Sequence, residues 1–168
     1  MGRIIGFPNP VNEKAARTVA GGVLLMSVVT LVLSIAVGNA WLWVLAPMAL
    51  GFWARVLTGP TLSPLGRLAT RVVAPRLGVP KFVPGPPKRF AQAIGTFVTT
   101  AGVGFVAAGL FGLAQVVLGL MIVAAGLESI FAICIGCAVF GWLMRSGLVP
   151  DDICAECSDV SLRYADAA

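Results

Sequence analysis

The chain has no histidine, and charged residues fill only 11% of its 168 positions. Without histidine, the commonest zinc and haem ligand and the usual proton shuttle at neutral pH are both missing. Ser-His-Asp and Cys-His catalysis are therefore excluded within the chain. Chemistry must rest on four cysteines, seven acidic residues, the hydroxyls or a partner.

What is abundant is apolar surface, with 58% of residues hydrophobic. A soluble domain of this size could not hide that much from water, so lipid must cover part of it. Runs long enough to cross about 30 Å of hydrocarbon as helix occur at roughly 18–38, 40–57, 90–112 and 115–144. The last exceeds one perpendicular span and must tilt, bend or project into water. The first is longer than a signal-peptide core and is followed at once by a second run, which predicts a retained anchor. Short turns at Asn39 and around 112–115 predict antiparallel neighbouring helices. The expected fold is all-α: a polytopic bundle of four transmembrane helices, with a short interfacial helix between spans two and three. Its parts are an N-terminal segment (1–17), a first hairpin (18–57), a basic Pro-rich loop (58–89), a second hairpin (90–145) and an acidic tail (146–168).

Positive charge is as unevenly placed as it is scarce. All twelve Lys and Arg fall at one end of the expected bundle, and neither turn at the other end carries any. The positive-inside rule makes the charged face cytoplasmic, with both termini inside. Ser27, Thr30 and Ser34 form a polar stripe on span one, while Gly104, Ala108 and Gly112 form a small-residue stripe suited to packing. Pro47 is expected to kink span two. Between Pro64 and Pro75, Leu65, Leu68, Val72 and Val73 can share one helical face flanked by Arg67 and Arg71, as in a helix lying among lipid headgroups.

The cysteines come as two Cys-x-x-Cys pairs, Cys134 with Cys137 and Cys154 with Cys157, separated by 16 residues. Three readings stand side by side. Cysteines can be small apolar fillers. The spacing fits a zinc site of four thiolates, although its net negative charge is costly beside hydrocarbon. Alternatively, each pair can be a reversible dithiol, as suits a compartment that keeps structural disulfides reduced. The eight residues 146–153 are long enough to fold the tail pair back toward the first. Glu128 adds a carboxyl within the last span, where a charge needs a partner or a function. On an unbroken helix it would lie about 120° from Cys134 and about 180° from Cys137, facing neither.

Val11-Asn12-Glu13 with Arg17, GPPKRFAQAIG at 85–95 and LESIFAICIGC at 127–137 together resemble a family of bacterial integral membrane proteins. That family is catalogued as domain of unknown function 4395. The resemblance implies a protein of the bacterial inner membrane, working in thiol or sulfur metabolism alongside thioredoxin-like proteins and sulfurtransferases. By position it marks Glu128, Cys134 and Cys137, then Lys88 and Arg89. A looser similarity is to four-helix membrane thiol oxidoreductases with a Cys-x-x-Cys in a span; this chain differs from them in lacking outer-loop cysteines. The expected role is exchange of electrons or sulfur with a soluble thioredoxin-like partner on the cytoplasmic side through Cys134, Cys137, Cys154 and Cys157, with Glu128 assisting. The alternatives are a non-enzymatic module clamped by zinc on those four cysteines, and a small-solute or sulfur-species carrier. Membrane lipid is an expected partner and nucleic acid is not; zinc is the one cofactor the pattern suggests.

Overall fold

The computed structural model describes residues 7–150 and Ile153. Helix α1 runs Glu13–Ala36, and a 3-10 segment, Asn39–Val44, leads into α2, Leu45–Thr58. A helical stretch follows as α3 (Pro64–Leu68), a wide π turn (Ala69–Val73) and α4 (Ala74–Arg76). Then come α5 (Gly85–Ala107), α6 (Phe111–Phe131) and α7 (Ile135–Arg145). Two short strands, β1 (Val11–Asn12) and β2 (Phe82–Val83), pair antiparallel and tie the segment before α1 to the one before α5.

Four helical stretches, Glu13–Ala36, Asn39–Thr58, Gly85–Ala107 and Phe111–Phe131, are long and apolar enough to cross a membrane. Only 28–33% of each apolar window is buried inside the protein. Leu25, Ile35, Leu50, Phe97 and Val123 all point outward and exposed. In water that surface would drive aggregation; against acyl chains it is satisfied. The molecule is an all-α polytopic membrane bundle.

Packing departs from simple hairpins. α1 lies chiefly against α6, and α2 against α5, with the 3-10 segment carrying the chain between the two pairs. One buried cluster joins Leu42, Leu45, Val106, Val117 and Leu118; another joins Val23, Met48, Phe52, Met121 and Ala125. Close approach depends on Gly95 and Gly102, where a Cβ would meet the Phe52 ring at 2.4 Å and Val117 at 3.0 Å. The expected Gly104, Ala108 and Gly112 stripe faces outward instead. The Ser27, Thr30 and Ser34 stripe is buried, and Gln115 Nε2 of α6 donates to Ser34 Oγ at 3.4 Å.

Other local expectations shift as well. The turn between spans three and four falls at 108–110, upstream of 112–115, because Gly109 takes φ 73° and closes a Schellman motif. There Leu110 N–H donates to Phe105 and Gly109 N–H to Val106. Pro47 is the third residue of α2, in the first turn, where a missing N–H costs little and no kink is needed. The helix at 64–76 does form, and its π turn accommodates Pro75 by moving the backbone bonding out to Ala74 N–H with Ala69. Its buried face consists of the small residues Gly66, Ala69 and Ala74, while Leu68 and Val72 are exposed and Leu65 packs into the core.

Candidate functional site

The long apolar run at 115–144 is not one helix. α6 stops at Phe131, and Ala132 adopts the left-handed conformation with φ 58°. The N–H groups of Ala132 and Ile133 both turn back onto the Leu127 carbonyl. That leaves the carbonyls of Ser129 and Ile130 without helical partners, and Arg17 of α1 takes them. Its Nε and Nη2 donate to Ser129 at 3.2 and 3.0 Å, and Nη2 also donates to Ile130 at 3.0 Å. A cation at a helix C-terminus satisfies both the orphan carbonyls and the macrodipole.

The break sets the cysteines. Cys134 is extended, with φ −95° and ψ 107°, and caps α7 by accepting the Cys137 N–H on Sγ at 3.4 Å. Both thiols are free and half-buried. α7 docks on α5 through Gly136, where a Cβ would lie 2.5 Å from Ala91 Cβ, and through Phe140 against Phe90 at 5.6 Å between ring centroids. The Gly between the two cysteines is what allows this approach.

Breaking the helix also brings Glu128 to the site. Glu128 Oε1 accepts from Lys88 Nζ of α5 in an ion pair whose side chains are only 13% and 12% exposed. Its Oε2 is buried without a hydrogen bond among the described residues. Glu128, Lys88 and Cys134 line a mostly apolar cavity of about 170 Å³ that reaches Phe52, Gly95 and Met121 inside the bundle. On its other side Cys134, with Cys137 and Lys88, borders a more open cavity of about 450 Å³ rimmed by Glu13, Lys81 and Arg145. Cys134 thus stands between a polar mouth and an apolar interior.

The thiols lie beyond the four spans and influence each other. The hydrogen bond from Cys134 holds Cys137 below the ordinary thiol value despite burial, and the Lys88 ammonium adds to the effect. The same bond, followed by burial, pushes Cys134 far above it. Physically the pair loses one proton early and the second late, and those steps belong to the pair. One thiolate with an adjacent thiol is the species that attacks a disulfide.

The model of the family described as Domain of unknown function (DUF4395) matches residues 11–145. The chain belongs to that family. No curated protein and no solved structure matches it. The DUF4395 match takes in Arg17, Lys88, Glu128, Cys134 and Cys137 and ends at the last residue of α7. It does not extend to Cys154 and Cys157.

Of the residues expected to act, Cys134, Cys137 and Glu128 come together. Cys154, Cys157 and the expected fold-back of the tail lie outside the described residues. Among the described residues, no three Cys, Asp or Glu side chains group as metal ligands. Lys88 proves to be the partner of Glu128. Arg55 was legible only as a charge marking one end of the spans, and Arg17 as such a charge and as part of the family resemblance, neither with a role at the site. The signal for Arg55 was Gln92, an amide within an apolar run, whose Oε1 accepts from Arg55 Nε at 2.9 Å.

Proposed function

We propose that this chain is a membrane thiol-exchange protein, with Cys134 and Cys137 cycling between dithiol and disulfide at the cytoplasmic edge of the bilayer. The observation supporting this reading is the helix break, which seats both sulfurs at the start of α7 beside Lys88 and Glu128 and opens them to a wide cavity. The N-terminus of α7, which Cys134 caps, and a nearby ammonium both favour thiolate, the reactive form.

The partner is a soluble protein of thioredoxin-like chemistry carrying a disulfide. The thiolate of the pair attacks one partner sulfur, forming a mixed disulfide and releasing the other partner sulfur as thiolate. The second cysteine, losing its proton to solvent or to Glu128, displaces the partner's bound sulfur. The partner's two sulfurs leave as thiolates that take up two protons from solvent, and the Cys134–Cys137 disulfide remains, so two electrons have passed to the partner. Run backwards, the same steps reduce the membrane pair. Cys154 and Cys157 then serve as a second couple that receives or delivers the electrons.

The test is redox titration of the full chain in detergent, with free thiols counted by mass after alkylation. The expected result is loss of four alkylated sites in two two-electron steps, one of which is abolished in Cys137→Ser. A pair that stays reduced across the whole range, or about one zinc bound per chain with all four thiols protected, would remove this reading in favour of the structural metal site.

A further inference from the structure

Arg55, in the last turn of α2, is only 6% exposed. It is held by neutral groups from three elements. Nε donates to Gln92 Oε1 of α5 at 2.9 Å, Nη1 donates to Ser63 Oγ at 3.2 Å, and the guanidinium carbon lies 4.3 Å from the Phe52 ring centroid. Ser63 is itself fully buried and also accepts the Gly66 N–H at 3.2 Å, which fixes its hydroxyl in place. No hydrogen bond runs from Nη2 to the described residues.

No described carboxylate balances this cation. The two among the described residues are engaged elsewhere, Glu13 with Lys81 and Glu128 with Lys88. An uncompensated buried charge is costly, and a rigid cradle of neutral acceptors orients it without neutralising it. Arg55 borders a cavity of about 240 Å³ whose apolar wall is Phe7, Pro8, Val11, Ala15, Val19 and Phe82. Besides Arg55, the polar side chains in its lining are Asn12, Thr70, Gln92 and the engaged Lys88. A lone guanidinium facing an apolar wall in a membrane protein matches one kind of ligand, an oxyanion carried on a hydrophobic body.

The geometry points to a binding site for an anionic membrane lipid, with its phosphate on Arg55 and its acyl portion along the wall formed by the amino-terminal segment and α1. The cavity adjoins the thiol site through Lys88, which lines both, but the lipid reading does not depend on thiol exchange.

Native mass spectrometry of the full chain, released from vesicles of phosphatidylglycerol and phosphatidylcholine, reads the occupancy directly. The expected result is one retained phosphatidylglycerol per chain that resists exchange with phosphatidylcholine and with added inorganic phosphate. Arg55→Gln should weaken that copy about tenfold or more, the scale of a lost charge-assisted bond. Thr70→Trp, an exposed change that narrows the cavity and leaves Arg55 in place, should also expel it. Equal retention by Arg55→Gln and the wild type overturns the proposal, as does displacement by inorganic phosphate alone. Lipid binding that emerges only after the tail carboxylates at Asp151, Asp152, Glu156, Asp159 and Asp166 are changed to amides also overturns it, since Arg55 would then belong to the tail.

Discussion

Lys88 and Glu128 act on the thiols as a pair, and the pair is what must be perturbed. Each is nearly buried, so removing one partner leaves a charge stranded in a poorly solvated place. Lys88→Met and Glu128→Gln should each destabilise the protein by about 3 kcal/mol, and the double variant by much less, in thermal unfolding in detergent. Alkylation kinetics should follow a different pattern. Thiolate reacts and thiol does not, so the rate rises with pH around the first ionisation of the pair. Lys88 lowers the Cys137 value and Glu128 raises it. Losing the ammonium should therefore move the midpoint to higher pH, losing the carboxylate should move it lower, and the double variant should return near the wild type. Identical midpoints in all four proteins would show that the ion pair does not influence the sulfurs.

Among the elements, the interrupted helix at 132–134 decides the site. The four spans were legible because hydrophobic length is a strong signal, and span four was visibly too long to cross upright. The location of the break was not legible. LESIFAICIGC at 127–137 contains no proline, and its left-handed residue is an alanine rather than the glycine such a position favours. What makes the break tolerable is tertiary: Arg17, more than a hundred residues away in sequence, satisfies the freed carbonyls. The same long-range logic hid the pairing of α1 with α6, since short turns suggest sequential neighbours. Ala132→Gly should stabilise the bundle by roughly 0.5–1 kcal/mol by relieving the left-handed strain, with unfolded-chain entropy offsetting part of the gain. Gly136→Val should do the reverse, because its side chain meets Ala91 and must push α7 off α5. Alkylation of Cys137 in the folded protein should then speed up as α7 loosens, while it stays unchanged in Ala132→Gly. A Gly136→Val protein with wild-type stability and thiol protection would mean that α7 is not docked on α5 through this contact.

For the molecule as a whole, function depends on which side the charged end faces. Every described Lys and Arg sits at that end, where α1 and α5 begin, α2 and α6 finish, and α7 leads off. The opposite turns, 37–40 and 108–110, carry no charge at all. Translocating a cluster of bases is far harder than retaining it, so the proposed orientation puts Cys134 and Cys137 on the cytoplasmic side. There the dithiol would meet reduced partners, and structural disulfides would be rare. A membrane-impermeant maleimide should modify the pair in inverted vesicles and leave it untouched in sealed right-side-out cells. Cysteines placed at Asn39 and Gly109 in a variant lacking the native four should give the opposite pattern. If the native thiols react from outside, the electron partner must be an extracytoplasmic protein, and exchange with a soluble cytoplasmic thioredoxin-like protein becomes physically impossible, whatever the geometry around Lys88 and Glu128.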